Sequence, residues 1–153
     1  MANFIGDHIC KVDSKGRILF PAALKKQLVN NAGHFVVKKD IYENCLVIFT
    51  TEEWNKQKAD IQAQLNSFNK EHNQFLRKFF RGAAEISLDG NGRILIPKRL
   101  LEAVAIDKEI MLSGQDAKIE MWAKEGYDSM DENELDFAAL AEKIMGNNKN
   151  GRE

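Results

Sequence analysis

Apolar residues come in short strand-like runs near both ends of the chain and at helical spacing in the middle. Ile9 and Val12 lead into the polar stretch Asp13–Gly16. Arg17-Ile18-Leu19-Phe20 follows, and Pro21 stops it. The same series returns as Ile86 and Leu88, Asp89–Gly92, Arg93-Ile94-Leu95-Ile96 and Pro97. The offset is a constant 76 residues, and 7 of the 16 positions from Asp13 to Leu28 are identical to their counterparts in Asp89–Val104. An internal repeat of this kind governs the reading of the whole fold.

Each copy predicts the same elements. An apolar strand enters a turn whose Asp and Gly tolerate the backbone angles a tight turn demands. A second strand leaves it. Pro21 and Pro97 end that strand and suit the first turn of a helix, where a missing N–H costs little. Ala22–Val29 and Lys98–Val104 then read as short helices. Two further strands complete each unit: His34–Lys38 with Leu46–Thr50, and Glu109–Ser113 with Lys118–Trp122. Lys39–Cys45 and the shorter Gly114–Ala117 connect them. At the N-terminus, Phe4-Ile5 predicts an arm or extra strand packed on a neighbour.

The stretch between the copies has helical periodicity. Thr50 and Glu53 fit a capping box, with acids where the helix dipole favours them. Trp54, Ile61, Leu65, Phe68, Phe75, Leu76, Phe79 and Phe80 recur at spacings that line one helical face. A break near Asn66-Ser67 gives two helices, and Gly82 suits the final cap. Phe75, Phe79 and Phe80 read either as core or as a subunit contact, where aromatic residues are enriched.

The motif Val-Asp-Ser-Lys-Gly-Arg-Ile-Leu-Phe-Pro resembles the SpoVT/AbrB swapped-hairpin DNA-binding domain. Two tandem copies separated by a spacer ending Phe-Leu-Arg-Lys-Phe-Phe-Arg-Gly resemble the bacterial MraZ family of transcriptional regulators. The resemblance runs from Phe4 to Tyr127. It implies an α+β fold in which two repeats pair as a pseudo-two-fold swapped-hairpin β-barrel, with short helices and a helical insert. It also implies a ring-shaped homo-oligomer on direct DNA repeats upstream of the division and cell-wall operon. The arginine of the first motif, Arg17, is implied to touch DNA. The corresponding organisation is repeat one at 4–53, the insert at 54–82, repeat two at 83–127 and an acidic tail at 128–153.

Charge sharpens this picture. The chain of 153 residues carries a net charge of only −1, but residues 1–82 hold +5 and residues 83–153 hold −6. Such asymmetry points to a polyanion partner for the basic half. Lys15 and Arg17 are then candidates for phosphates or a guanine edge, and Lys11 and Lys25 for phosphates. Lys38 and Lys39 read as phosphate contacts or as a solvated hairpin edge. Arg93 is the second-repeat counterpart of Arg17. For both arginines the other reading is a local ion pair with Asp13 or Asp89 that shapes the turn. Asp13, Gly16, Pro21, Asp89, Gly92 and Pro97 read as structural.

Glu125–Glu142 holds seven acids and no Lys or Arg. It reads as a solvated tail, with a short helix through Leu135, Ala138, Ala139 and Ala141 that ends near Gly146, or as a competitor of phosphates. Cys10 and Cys45 are too few for a disulfide scaffold and fit buried apolar positions. His8, His34 and His72 lack ligand spacing, and no nucleophile set or phosphate loop stands out. The sequence therefore points away from an enzyme, a metal or a cofactor. No apolar run spans a membrane and no signal peptide opens the chain, so a cytoplasmic, nucleoid-associated protein is expected. Two other readings are an AbrB-like antitoxin that binds DNA and a toxin, and a structural oligomer without DNA binding.

Overall fold

The computed structural model describes residues 2–29, 33–130 and 136–146. The first repeat supplies β1 (Phe4–Lys11), β2 (Arg17–Leu19), α1 (Ala22–Lys25), β3 (His34–Lys39) and β4 (Leu46–Thr50). The insert forms α2 (Thr51–Gln64) and α3 (Lys70–Phe80). The second repeat gives β5 (Ala84–Ser87), β6 (Arg93–Leu95), α4 (Lys98–Ala103), β7 (Glu109–Asp116) and β8 (Lys118–Ala123). After it come α5 (Lys124–Met130), α6 (Phe137–Ala141) and a π-helical turn, Glu142–Gly146. The expected order of elements is present in both copies. The Phe4-Ile5 arm is the start of β1, with Phe4 buried in the core and Ile5 exposed. The tail residues 131–135 and 147–153, Leu135 among them, lie outside the described residues.

The strands form a six-stranded antiparallel sheet in the order β1-β7-β8-β4-β3-β5 and a separate two-stranded ribbon, β2-β6. Exchanging the two repeats, β1 for β5 and so on, leaves this order unchanged. β1 pairs with β7 of the other repeat, β5 pairs with β3, and Ile18 faces Ile94 at the centre of the ribbon. The repeats are thus interleaved rather than side by side.

The expected closed barrel is not formed by strand pairing. The large sheet ends at β1 and β5, and among the described residues a single bridge, Val12 to Ile18, links its margin to the ribbon. The reason is local: each ribbon strand is three residues long, bounded by a turn on one side and by the residue before a proline on the other. Proline has no N–H to extend a ladder. What joins ribbon and sheet is apolar packing. Ile18, Phe20 and Leu24 with Ile94, Ile96 and Leu100 meet Phe35, Ile48, Ile110, Leu112 and Ile119 in one core.

The other sheet face is covered too. Val36, Val47 and Phe49 pack under Trp54 of α2 and Phe79 of α3. Cys45, Met111 and Trp122 pack under Tyr127 and Met130 of α5. Burial on both faces explains the unbroken apolar run of β4, buried at all five positions. The Thr50 hydroxyl accepts from the Glu53 N–H at 3.2 Å, half of the expected capping box. The break falls between Gln64 and Lys70 as expected, and Gly82 follows α3 at φ +80°. Phe68 departs from expectation. It sits in the turn between the helices, 95% exposed, because α2 has already ended. Of the cysteines, Cys45 is buried, and burial, with Glu120 and Asp40 nearby, pushes its thiol up to about 12. Cys10 is half-buried.

Candidate nucleic-acid interface

The β2-β6 ribbon turns Ile18 and Ile94 into the core, so alternation puts Arg17, Leu19, Arg93 and Leu95 on the opposite face. In register, Arg17 stands across from Leu95 and Leu19 across from Arg93. Both leucines are more than half exposed, 59% for Leu19 and 54% for Leu95. Exposed leucines are ordinary when scattered. Two of them interleaved with two arginines on one ribbon make a composite surface.

The two turns sit at opposite ends of this face. In the first, Asp13 Oδ1 accepts the N–H groups of Arg17 at 2.8 Å and Lys15 at 2.9 Å. Its Oδ2 takes the Arg17 Nε at 2.8 Å. The Arg17 N–H, then its guanidinium and the Lys15 N–H, hold the Asp13 carboxyl down to about 2. It is therefore ionised at neutral pH. In the second turn, Asp89 Oδ1 accepts from Asn91 at 2.8 Å and Arg93 at 2.9 Å, and its carboxyl is likewise lowered, chiefly by the Arg93 N–H. The Arg93 guanidinium has no hydrogen bond or ion pair among the described residues. The local ion pair is thus made by Arg17 and not by Arg93. Its cation remains presented, since the Arg17 side chain is 41% exposed.

Gly16 and Gly92 close the ribbon. Both have positive φ, +89° and +75°, the region that favours glycine. The Gly16 carbonyl accepts the Ile96 N–H at 3.0 Å, and that of Gly92 accepts the Phe20 N–H at 2.9 Å. Each turn therefore extends the opposite strand's ladder. Pro21 and Pro97 sit just before α1 and α4, as expected.

Lys11 and Lys25 line one groove of about 830 Å³ together with Leu19, Asn91 and Gly92. The structure brings these two lysines to the second turn rather than to Arg17. Lys11 also faces Glu109 across the strand pair, which tempers its positive potential. Lys15 is exposed in the first turn. Lys38 is neither a surface phosphate contact nor a hairpin edge: it is buried, its ammonium 3.9 Å from the centre of the Phe79 ring. Lys39 donates to the Asp40 and Glu43 carbonyls at 3.3 Å. Leu19 and Leu95 were not singled out from sequence. The signal was present, since Arg-Ile-Leu recurs intact in both copies.

Among the described residues, no three of His, Cys, Asp and Glu are grouped to hold a metal ion. No helix among them is long and apolar enough to cross a membrane.

Fold and site together define a tandem-repeat α+β protein that presents an arginine-and-leucine ribbon on one face. The sequence model of the MraZ protein family, described as antitoxin-like, matches residues 3–78 and again 79–148. The transcriptional regulator MraZ of Christiangramia forsetii is 44% identical over 149 residues, 96% of each chain. That of Flavobacterium psychrophilum is 42% identical over 149 residues, covering 96% of this chain and 94% of its own. That of Clostridium tetani is 36% identical over 141 residues, 92% of this chain and 96% of its own. The chain belongs to the MraZ family.

Proposed function

We propose that this chain is a sequence-specific DNA-binding transcriptional regulator whose β2-β6 ribbon enters the major groove. The major groove admits a two-stranded ribbon. Arg17 and Arg93 then reach guanine edges, and Leu19 and Leu95 meet thymine methyl groups. Lys15 at one end, with Lys11 and Lys25 at the other, contacts phosphates and sets the register. The observation that carries this reading is the outward ribbon face itself, two arginines alternating with two exposed leucines. The name transcriptional regulator, borne by relatives that span nearly the whole chain, supports it.

The finer reading follows the family resemblance. The interleaved strands support treating 4–53 and 83–127 as paired swapped-hairpin halves, with 54–82 as the insert and 128–153 as the tail. A ring-shaped homo-oligomer of such chains binds direct repeats upstream of the division and cell-wall operon, in the cytoplasm at the nucleoid. One ribbon is a small contact, so several chains on successive repeats supply affinity through effective concentration.

The test is fluorescence anisotropy with the duplex upstream of the protein's own gene, across a salt series, with light scattering for mass. Log K is expected to fall against log salt by about 0.9 per phosphate neutralised. Arg17→Ala is expected to weaken binding at least tenfold at unchanged mass, and more than Arg93→Ala. Asp13 orients Arg17, and the first turn adds Lys15 where the second has Asn91. A flat salt response, or full binding by both variants, overturns the proposal.

A further inference from the structure

Two features away from the ribbon lack partners among the described residues, and their chemistries are complementary. The first is a groove between α3 and the loop after β3. Lys38, only 4% exposed, lies in its wall against the Phe79 ring. Its ammonium has no hydrogen bond or ion pair among the described residues. A lysine this deeply buried is ordinarily paired with a carboxylate. Lys39, Lys78 and Arg81 surround the same cavity of about 480 Å³, and Phe75 and Ile41 give it a half-exposed apolar side. The acid lining it is Asp40, whose Oδ2 is occupied by the N–H groups of Tyr42 and Glu43. The groove is thus a cationic slot with an aromatic floor, lined by four cations and one carboxylate.

The second feature is the C-terminal helix. Phe137, Leu140, Ile144 and Met145 are all exposed, Phe137 at 73%. Their spacing of three, seven and eight residues from Phe137 places them along one side of α6 and its π-helical turn. Asp136 and Glu142 stand on the same short segment, at the end of the acidic stretch that begins at Glu125. A helix with an apolar stripe and acidic flanks fits a slot with an apolar floor and basic walls.

We propose that the C-terminal helix of one chain docks in the α3 groove of a second copy, its stripe against Phe75 and Ile41 and its carboxylates toward Lys38, Lys78 and Arg81. The chain's own helix leaves the whole stripe exposed, so it does not fill its own groove. Groove and helix are different surfaces, so the contact is head-to-tail. Contacts of that kind generate rings when the rotation closes, rather than two-fold dimers. This inference rests on the homo-oligomer reading and supplies the contact that would build it.

The experiment uses full-length chains and light scattering, with thermal melts to verify folding. Lys78→Glu and Glu142→Lys, both at exposed positions, are each expected to shift the protein to smaller species, and the double variant to regain mass. Phe137→Ser is expected to lower the mass without rescue. Lys38→Met separates binding from stability. It is expected to keep the melting temperature, since it replaces a desolvated cation with an apolar chain of similar length, while losing mass. A Lys38→Met protein that melts early at full mass makes Lys38 a structural cation and overturns the proposal. Unchanged mass in the three surface variants also overturns it, as docking within one chain would give. A wild-type monomer sinks the oligomer reading and this contact together. An oligomer indifferent to all four changes sinks the contact alone.

Discussion

Asp13 organises the first turn with one carboxylate, taking two backbone N–H groups and a guanidinium. The close approach next to it makes a sharper test of the motif. A Cβ on Gly16 would stand 2.8 Å from the Ile96 carbonyl oxygen, a backbone atom that cannot swing away. One on Gly92 meets nothing nearer than Leu19 Cδ1 at 3.8 Å. Gly92→Ala then carries only the left-handed backbone strain, about 1 kcal/mol. Gly16→Ala adds the clash and is expected to cost about 2 kcal/mol or more. Urea denaturation of the two variants checks this, and equal losses would mean the turns are equivalent. The leucines give a second prediction at this scale. Replacing thymine by uracil removes one methyl, worth about 0.8 kcal/mol when buried, or roughly fourfold in affinity per contacted base. Anisotropy is expected to show that loss with the wild type and not with a Leu19→Ala, Leu95→Ala protein. An equal loss in both would take the leucines out of base reading. Asp, Gly, Arg and Pro were legible in sequence because each has a distinct backbone or charge role. Leu19 and Leu95 were not, because a leucine in a strand reads as core until its face is known.

At the scale of elements, the insert is held by rings. Trp54 stacks on Phe79 with centroids 5.6 Å apart, Phe80 meets both edge-on, and Phe75 stacks on Phe79 at 6.1 Å. Phe79 also carries the Lys38 ammonium, so it touches α2, α3 and β3 together. Phe79→Ala is expected to destabilise the protein by about 3 kcal/mol or more, since it removes a buried ring and opens a cavity in a packed cluster. Thermal and urea melts read this directly, and a loss under 1 kcal/mol would mean that α3 is loosely docked. The helices themselves were legible, because spacings of three and four recur and Thr50 marks the start. The fates of Phe68 and Lys38 were not. Phe68 kept the helical period after the helix had ended, and Lys38 is buried only because α3, over 30 residues later, lies across β3.

At the scale of the molecule, charge and topology pull in different directions. The sequence divides into a basic half and an acidic half, which invites the picture of two separable units. The strand order denies it: β1 has its partner β7 on the far repeat, and both ribbon and sheet are shared. Duplication was legible from the constant offset; the pairing of the two repeats was expected from the family resemblance alone, since no local pattern says whether a strand pairs within its own repeat. A fragment of residues 1–82 therefore keeps β1 to β4 but loses β5, β6, β7 and β8 as partners. As a monomer it would expose Ile18, Ile48 and Phe35, now buried against the second repeat or beside it. The exchange symmetry offers it a substitute, because every missing partner has an equivalent in a second copy of the fragment. Ile18 would face Ile18 where it now faces Ile94, and Val47 would face Val47 where it now faces Glu120. The fragment is expected to sediment as a folded dimer whose melting temperature rises with concentration, as mass action requires. Its Arg17 would then occur twice on the ribbon, with Asp13 beside each, and without the acidic half the net charge per chain is +5. That dimer is expected to bind the same duplex less selectively and with a steeper salt dependence than the full chain. A folded monomer in the ultracentrifuge would show that the repeats are independent units after all.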